Sequence, residues 1–222
     1  MTHANVEMDL LRTYLVGNVL ALLLTQRGYL VLHACSIEIF GKAIAVMGSS
    51  GAGKSSLAAA LVQAGHQLCN DDLSPLLLKD NQPFLWPGYP QIKLYQEVIQ
   101  TLRLTQDRLS SLHQREEKWG YRNHHDLCST PLPLRCIYML EPGEHIEIED
   151  PLSTIAAIDG TLQQSWPNRL GTSGGERHLR QCVKLAQDVP CFRLIRGTEV
   201  SSLPQLAEKI LDHQKHLITL GL

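Results

Sequence analysis

Apolar residues recur with two periods along the chain. Met8, Leu11, Leu15, Val19 and Leu22 fall at spacings of 3, 4, 4 and 3, and Val16, Leu20 and Leu23 widen the stripe. That period predicts a buried N-terminal helix within residues 1–28, ended by Gly28 in a left-handed conformation. The β-rich stretch "YLVLHACSIEIFGKAIAVMG" then predicts two strands around a hairpin at Phe40-Gly41-Lys42. The second of these, 43–47, leads into a glycine-rich loop. Lys54 to Gln63 returns to helical spacing, Gly65 closes that helix, and "HQLCNDD" is a short strand ending in two aspartates. Residues 43–72 thus read as a strand–loop–helix–strand unit, for which a parallel, right-handed crossover is the expectation.

Further along, "QPFLWPGYPQIKLY" carries Pro83, Pro87 and Pro90 and reads as loop or sheet edge. Residues 92–117 read as a polar helix and "WGYRNHHDLCSTPLP" as loop. Residues 134–140 and 145–150 read as a strand pair around Glu141-Pro142-Gly143-Glu144. Ser173-Gly174-Gly175-Glu176 has the form of a capping box, opening a helix with Leu179, Cys182, Val183 and Ala186 on one face. "CFRLIRG" is a last strand. Ser202 would cap a final helix that buries Leu206, Ile210 and Leu211.

Composition narrows the function classes. The chain has 222 residues, 44% apolar and 19% charged, which suits one domain spanning 1–222. A net charge of -2 offers no basic footprint for nucleic acid. The apolar run from Leu15 to Leu24 contains Gly17 and Asn18 and falls short of the roughly 20 residues of a membrane span. No basic segment precedes it, so a signal peptide is not expected. Six scattered cysteines without a C-x-x-C pair suggest reduced thiols and a cytoplasmic location.

The chemistry concentrates in "VMGSSGAGKSSL". Gly48-Ser49-Ser50-Gly51-Ala52-Gly53-Lys54-Ser55, followed by Ser56, matches G-x-x-x-x-G-K-[ST] at every position. Glycines at 48, 51 and 53 permit backbone conformations that aim N–H groups at an anion, and the following helix start adds partial positive charge. Lys54 would reach the β- and γ-phosphates, and Ser55 would offer a hydroxyl to Mg²⁺. Asp71 and Asp72 follow Lys54 by only 17 and 18 residues, so both ends of the unit open at one sheet edge. One carboxylate could order a metal's water shell and the other accept a proton; alternatively, one or both cap a turn.

The segment "LHACSIEIFGKAIAVMGSSGAGKSSLAAALVQAGHQLCNDDLSPL" resembles the catalytic domain of HPr serine kinase/phosphorylase and its smaller relatives. It spans about residues 30 to 76. "PGYPQIKLY" and "YMLEPGE" are similar, more weakly, to stretches in those small relatives, including kinases encoded with lasso peptides. The resemblance implies an α/β fold whose mixed sheet is flanked by helices, of the HPr kinase C-terminal domain and phosphoenolpyruvate carboxykinase type. It also implies an ATP- and Mg²⁺-dependent kinase acting on a hydroxyl, serine first among them, of a protein, peptide or small molecule. Carried over by position, Asp71 would accept the proton, Asp72 with Ser55 would order Mg²⁺, and His33 would lie near the transferred phosphate or the acids. Relatives of this kind often assemble, so a homo-oligomer is a possible state. The signature that bifunctional members carry after the aspartates is missing here.

Other residues have two readings each. His33 stands in an apolar alternating run, where a histidine is as readily a core residue as a functional one. Lys93, Lys118 and Arg122 could steady phosphate charge or be solvated. "HHDLC" (His124, His125, Asp126, Cys128) invites a metal reading, but adjacent histidines point to different sides of a regular element. "GTSGGE" lacks a lysine and reads as a helix cap. The aromatics of "FLWPGY" could line a base pocket or simply pack. Two rivals to the kinase are a nucleotide sensor without transfer activity and a P-loop hydrolase or small-metabolite enzyme.

Overall fold

In a computed structural model of the chain, residues 11–12, 14–79, 82–89, 91–112, 117–122, 127–172 and 174–221 are described. A tight hairpin joins β2 (Ala34–Ile39) to β3 (Lys42–Met47). Phe40 and Gly41 both have positive φ, 51° and 77°, and the Gly41 N–H donates to Glu38 Oε1 at 2.6 Å. Positive φ at both central residues matches the right-handed twist of the paired strands. Arg135, buried in the core, fixes the same turn by donating to the carbonyls of Ile39 (3.1 Å) and Phe40 (3.2 Å).

Further elements in chain order are β1 (Leu30–Leu32), α2 (Lys54–Gln63), β4 (Gln67–Asn70), β5 (Ser74–Lys79), β6 (Gln82–Leu85), β7 (Ile92–Tyr95), α3 (Gln96–Thr101), β8 (Leu109–Ser111) and β9 (Lys118–Tyr121). Then follow β10 (Leu132–Pro142), β11 (Glu147–Pro151), α4 (Thr154–Gln163), α5 (Trp166–Arg169), α6 (Gly175–Asp188), β12 (Cys191–Arg196) and α7 (Leu203–Thr219). Helix α1 (Leu20–Gln26) is preceded by a π-helical turn, Leu15–Val19.

The main sheet runs β1-β5-β6-β10-β3-β2-β4, and β12 joins β10 on the edge that β6 leaves free, with β11 outside it. Its centre, β3, β10 and β12, is parallel, and the flanking strands are antiparallel. This is an α/β fold with a mixed sheet flanked by helices. Strand alternation divides the core. Ile44 and Val46 of β3 pack with Leu57 and Leu61 of α2 and Ile210 of α7. Ala43, Ala45 and Met47 face the other way, toward Ala157 of α4 and Cys182 and Leu185 of α6. A second sheet, β7-β9-β8, lies beside α2.

Several sequence expectations need correction. The crossover from β3 through α2 does return a strand parallel to β3, but β2 lies between the two, antiparallel to both. Likewise 134–140 and 145–150 do not pair with each other; β12 inserts between them. Residues 92–112 hold β7, the short α3, a 3₁₀ turn and β8 rather than one helix. On α6 the buried face is His178, Cys182 and Leu185, with Leu179 exposed. The N-terminal helix is not buried: Leu15, Val16, Val19, Leu20, Leu22 and Leu23 are exposed, and Ala21 is its buried residue. Gly28 does take φ 93° at its end. Met8 and Ser173 lie outside the described residues.

Candidate active site

Three parallel strands end at one cleft. β3 delivers the glycine loop, and β12 delivers Arg196 and the segment leading to α7. The end of β10 closes on the loop from behind. A Cβ at Gly48 (φ 155°) would sit 2.6 Å from the Leu140 carbonyl oxygen, so no larger residue fits without moving backbone. Gly53 (φ 100°) stands before the first turn of α2, where a Cβ would press on Arg196 at 3.2 Å. Arg196 Nε in turn donates to the Ala52 carbonyl at 2.5 Å, tying β12 to the loop.

Lys54 is buried, and its Nζ donates to the carbonyls of Gly48 (2.9 Å) and Ser49 (3.0 Å). Burial lowers its pKa, since the charged ammonium has lost water. The loop thus holds its lysine against its own carbonyls, at the mouth of a cavity of about 230 Å³ that Ser50, Gly51, Lys54 and Ser55 line together with Asp72 and His33.

The two acids separate because the chain turns between them. Asp71 follows the last residue of β4, and Asp72 has a left-handed φ of 69°. Ser55 Oγ donates to Asp71 Oδ1 at 2.8 Å, and the Lys93 backbone N–H donates to Asp71 Oδ2 at 3.0 Å. Both oxygens of Asp71 are therefore engaged. Asp72 turns toward the cleft: Lys93 Nζ lies 3.1 Å from its Oδ2, and His33 Nε2 lies 3.5 Å from its Oδ1. His33 Nδ1 is 3.4 Å from Gln164 Oε1, and Trp166 donates its indole N–H to the Asp72 carbonyl at 3.3 Å. The Ser55 hydroxyl is thus bonded to Asp71, the first of the two acids.

These surroundings drive the carboxyl groups apart. Burial, reinforced by the neighbouring charge of Asp72, pushes Asp71 up to about 6. Burial also acts upward on Asp72, but the His33 hydrogen bond and the Lys93 ammonium outweigh it and hold this carboxylate well below the usual range.

A second cavity, of about 530 Å³, adjoins the first at Asp72, His33, Lys93 and Lys118, and Glu117 and Arg169 line it in addition. Lys118 also sits 4.8 Å from the centre of the Tyr95 ring. Of the secondary candidates, Lys93 and Lys118 reach the cleft. Arg122 and the aromatics Trp86 and Tyr89 line a third cavity instead. Cys128 is buried, while His124, His125 and Asp126 lie outside the described residues. Arg169, Arg196 and Glu199 drew no attention in the sequence; the strand-end position of Arg196 in "CFRLIRG" was the available signal.

The donor chemistry fits a magnesium nucleotide. One hydroxyl and two carboxylates converge beside a loop rich in N–H groups, and Mg²⁺ commonly takes one or two carboxylates and completes its shell with phosphate and water. Among the described residues there is no group of three His, Cys, Asp or Glu side chains placed to hold a metal by themselves.

A doubly flanked α/β sheet with a lysine-bearing glycine loop facing paired acids defines a class of phosphate-handling domain, and comparison with known proteins makes it more specific. Residues 25–92 match the model of the HPr Serine kinase C-terminal domain. The chain is HPr-kinase-like over that segment, which runs from the end of α1 through the glycine loop and both aspartates to the start of β7. A curated relative, the HPr kinase/phosphorylase of Lactobacillus delbrueckii subsp. bulgaricus, is 38% identical over 73 residues, 32% of this chain. The matched part is 22% of that relative's length. The solved structure of the Hpr(Ser) kinase/phosphatase from Coxiella burnetii aligns over 85% of this chain and 97% of its own, with 14% identity and a TM-score of 0.44. Among the described residues no helix is long and apolar enough to cross a membrane.

Proposed function

We propose that this protein is a kinase that transfers the γ-phosphate of ATP, with Mg²⁺, to a hydroxyl group. The observation that carries the reading is the Ser55–Asp71 hydrogen bond of 2.8 Å, which locks the glycine loop to the acid pair while Asp72 stays on the cleft. The family match over residues 25–92 supports it.

The hydrogen bonds of Asp71 support a division of labour between the acids that is the reverse of the one the resemblance implies. Asp71, bonded to Ser55 and the Lys93 N–H, is the acid that would hold Mg²⁺ with the serine hydroxyl. When bound, the metal would neutralise phosphate charge. Asp72 is the acid that lines the glycine-loop cavities, and it would take the proton of an incoming hydroxyl. A carboxylate held so low is a weak base. Phosphoryl transfer tolerates this, because catalysis rests on positioning and charge stabilisation more than on early deprotonation. His33 and Lys93 fix the Asp72 carboxylate from two sides. Lys54 would exchange its bonds to Gly48 and Ser49 for phosphate oxygens, and Ser49, Ser50, Gly51, Ala52, Gly53 and Ser56 complete the phosphate cradle.

The test pairs binding with transfer. Titration with Mg-ATP should show saturable binding that Lys54→Ala weakens at least about tenfold and Asp72→Asn keeps, while phosphorylated product forms with the wild type and far more slowly with Asp72→Asn. Transfer at the wild-type rate by Asp72→Asn removes the proposed role of that acid, and the absence of nucleotide binding removes the kinase.

A further inference from the structure

The third cavity, about 580 Å³, lies beneath the N-terminal helix, and Asp71, Asp72 and Lys93 form part of its wall. Asp72 and Lys93 also line the two cavities on the glycine-loop side. They therefore stand as a partition, with the phosphate loop on one side and this cavity on the other. In-line transfer needs the acceptor oxygen and the leaving oxygen on opposite sides of the phosphorus. A hydroxyl entering from this cavity meets Asp72 from the side away from the loop.

The remaining walls are mostly apolar and aromatic, with Asn18, Gln91 and Ser110 among the polar residues that line them. Leu20 and Leu24 come from the N-terminal helix, and Tyr29, Trp86, Tyr89 and Trp166 supply rings. Tyr29 and Trp86 meet edge to face with centroids 6.0 Å apart. One side-chain bond and one backbone bond hold the Trp86–Gly88 wall in place: Asn70 Nδ2 donates to the Trp86 carbonyl at 2.9 Å, and the Gly88 N–H donates to the Cys69 carbonyl at 3.1 Å.

Two further cationic side chains line the cavity, Arg12 of the N-terminal helix and Arg122, and the second is held against an aromatic ring. The Arg122 guanidinium lies over the Tyr89 ring, 5.4 Å from its centre, and donates to the Tyr89 hydroxyl. Its Nε is buried with no hydrogen-bond partner among the described residues, a costly state for a cationic donor. β9 pairs with β7 so that Tyr121 is opposite Ile92 and Gly120 opposite Lys93. Arg122 is thus two strand positions from the register of Lys93, roughly 7 Å along the sheet.

We infer that this cavity is the acceptor site, and that the acceptor is a small amphiphilic molecule: an apolar or aromatic body, a hydroxyl at Asp72, and an anionic group at Arg122. The inference rests on the kinase reading and goes beyond it by naming the acceptor class. The volume lies within the range of small-molecule sites, as does the mix of apolar wall and few polar groups. In the reaction the acceptor oxygen bonds to the γ-phosphorus as the bond to the β–γ bridging oxygen breaks. ADP leaves with that electron pair, and the hydroxyl proton passes to Asp72.

Two dyes of similar body test the site without any transfer: anionic 1-anilinonaphthalene-8-sulfonate and neutral N-phenyl-1-naphthylamine. Both should bind the wild type saturably at one site. Arg122→Gln should weaken the anionic dye about tenfold, the scale of one charge-assisted contact, and leave the neutral dye within about twofold. Arg122→Lys should restore the anionic dye. Leu20→Trp, which fills the cavity, should remove both dyes, while Leu22→Trp, on the same helix outside the cavity, should remove neither. Equal loss of both dyes in Arg122→Gln, or none in Leu20→Trp, overturns the site.

The acceptor role is read with γ-labelled ATP and cell extract divided by size. Label should enter the low-molecular-mass fraction with the wild type and Leu22→Trp and be lost with Leu20→Trp, Mg-ATP affinity staying unchanged in all three. Label in proteins alone overturns the acceptor class and leaves the kinase standing. No label in any fraction overturns the kinase reading and the acceptor role together.

Discussion

Ser55 Oγ lies 2.8 Å from Asp71 Oδ1, and this bond joins the first turn of α2 to the end of β4. The two residues stand on neighbouring elements of one unit, so the phosphate loop and its acid cannot shift independently.

Asp71→Asn should stabilise the protein without nucleotide at neutral pH while weakening Mg²⁺-dependent nucleotide binding. Native Asp71 titrates near 6, against about 3.9 for an unfolded aspartate. With its folded pKa raised, the group's ionisation in the native state progressively costs stability as pH rises from about 4 through 6. The cost above that window is of order 3 kcal/mol. Thermal melts should show the Asn variant's advantage at pH 8 and its disappearance at pH 4. An advantage of equal size at both pH values would mean that ionisation is not its source.

Asp72→Asn should leave nucleotide affinity nearly intact and reduce transfer about 10²–10⁴-fold, the range for a lost proton acceptor. The depressed pKa of Asp72 also predicts an acid limb of activity that does not arise from this residue. A pH–rate profile for wild type and Asp72→Glu reads this directly; an acid limb that moves with the Glu substitution would contradict it.

His33→Gln should lower transfer less than Asp72→Asn, because Lys93 still holds the carboxylate at 3.1 Å. The double substitution His33→Gln with Lys93→Met should cost more than either single change, with nucleotide affinity preserved. Strict additivity of the singles in a double-mutant cycle would mean that the two residues do not share Asp72.

Lys54→Ala should weaken Mg-ATP binding by at least about tenfold, since it removes the one full positive charge within the loop. Isothermal titration checks this. Unchanged affinity would place the phosphates elsewhere.

Gly48→Ala should destabilise the fold by about 1–3 kcal/mol, the usual cost of overpacking, because its Cβ meets the Leu140 carbonyl at 2.6 Å. A denaturant melt with an unchanged midpoint would show that β10 gives way at no cost.

Much of this architecture was legible locally. The β2–β3 hairpin, α2 and the strand before the acids follow from period, turn residues and breakers, all of which act over a few residues. The glycine loop and acid pair are equally local, being motifs of sequence. Lys93 was legible only as an uncommitted lysine in "PGYPQIKLY". Its backbone bond to Asp71 and its ammonium contact with Asp72 come from β7 lying against α2, a long-range packing that no nearby residue announces. The apolar stripe of the N-terminal helix was visible too, but a stripe does not say whether it is covered; here most of it is exposed, and part roofs a cavity.

The order of strands shows the same division. Alternation marks β10, β11 and β12 as strands, yet pairing passes over the nearest neighbour in sequence and sets β12 between the other two. The sequence by itself determined which residues could cradle phosphate and which elements carry them, because turn chemistry and side-chain period are short-range. Only the tertiary structure decided that Ser55 meets Asp71 and that Asp72 faces the cleft. That choice depends on a left-handed backbone at Asp72 and on contacts with His33 and Lys93, brought in by distant strands.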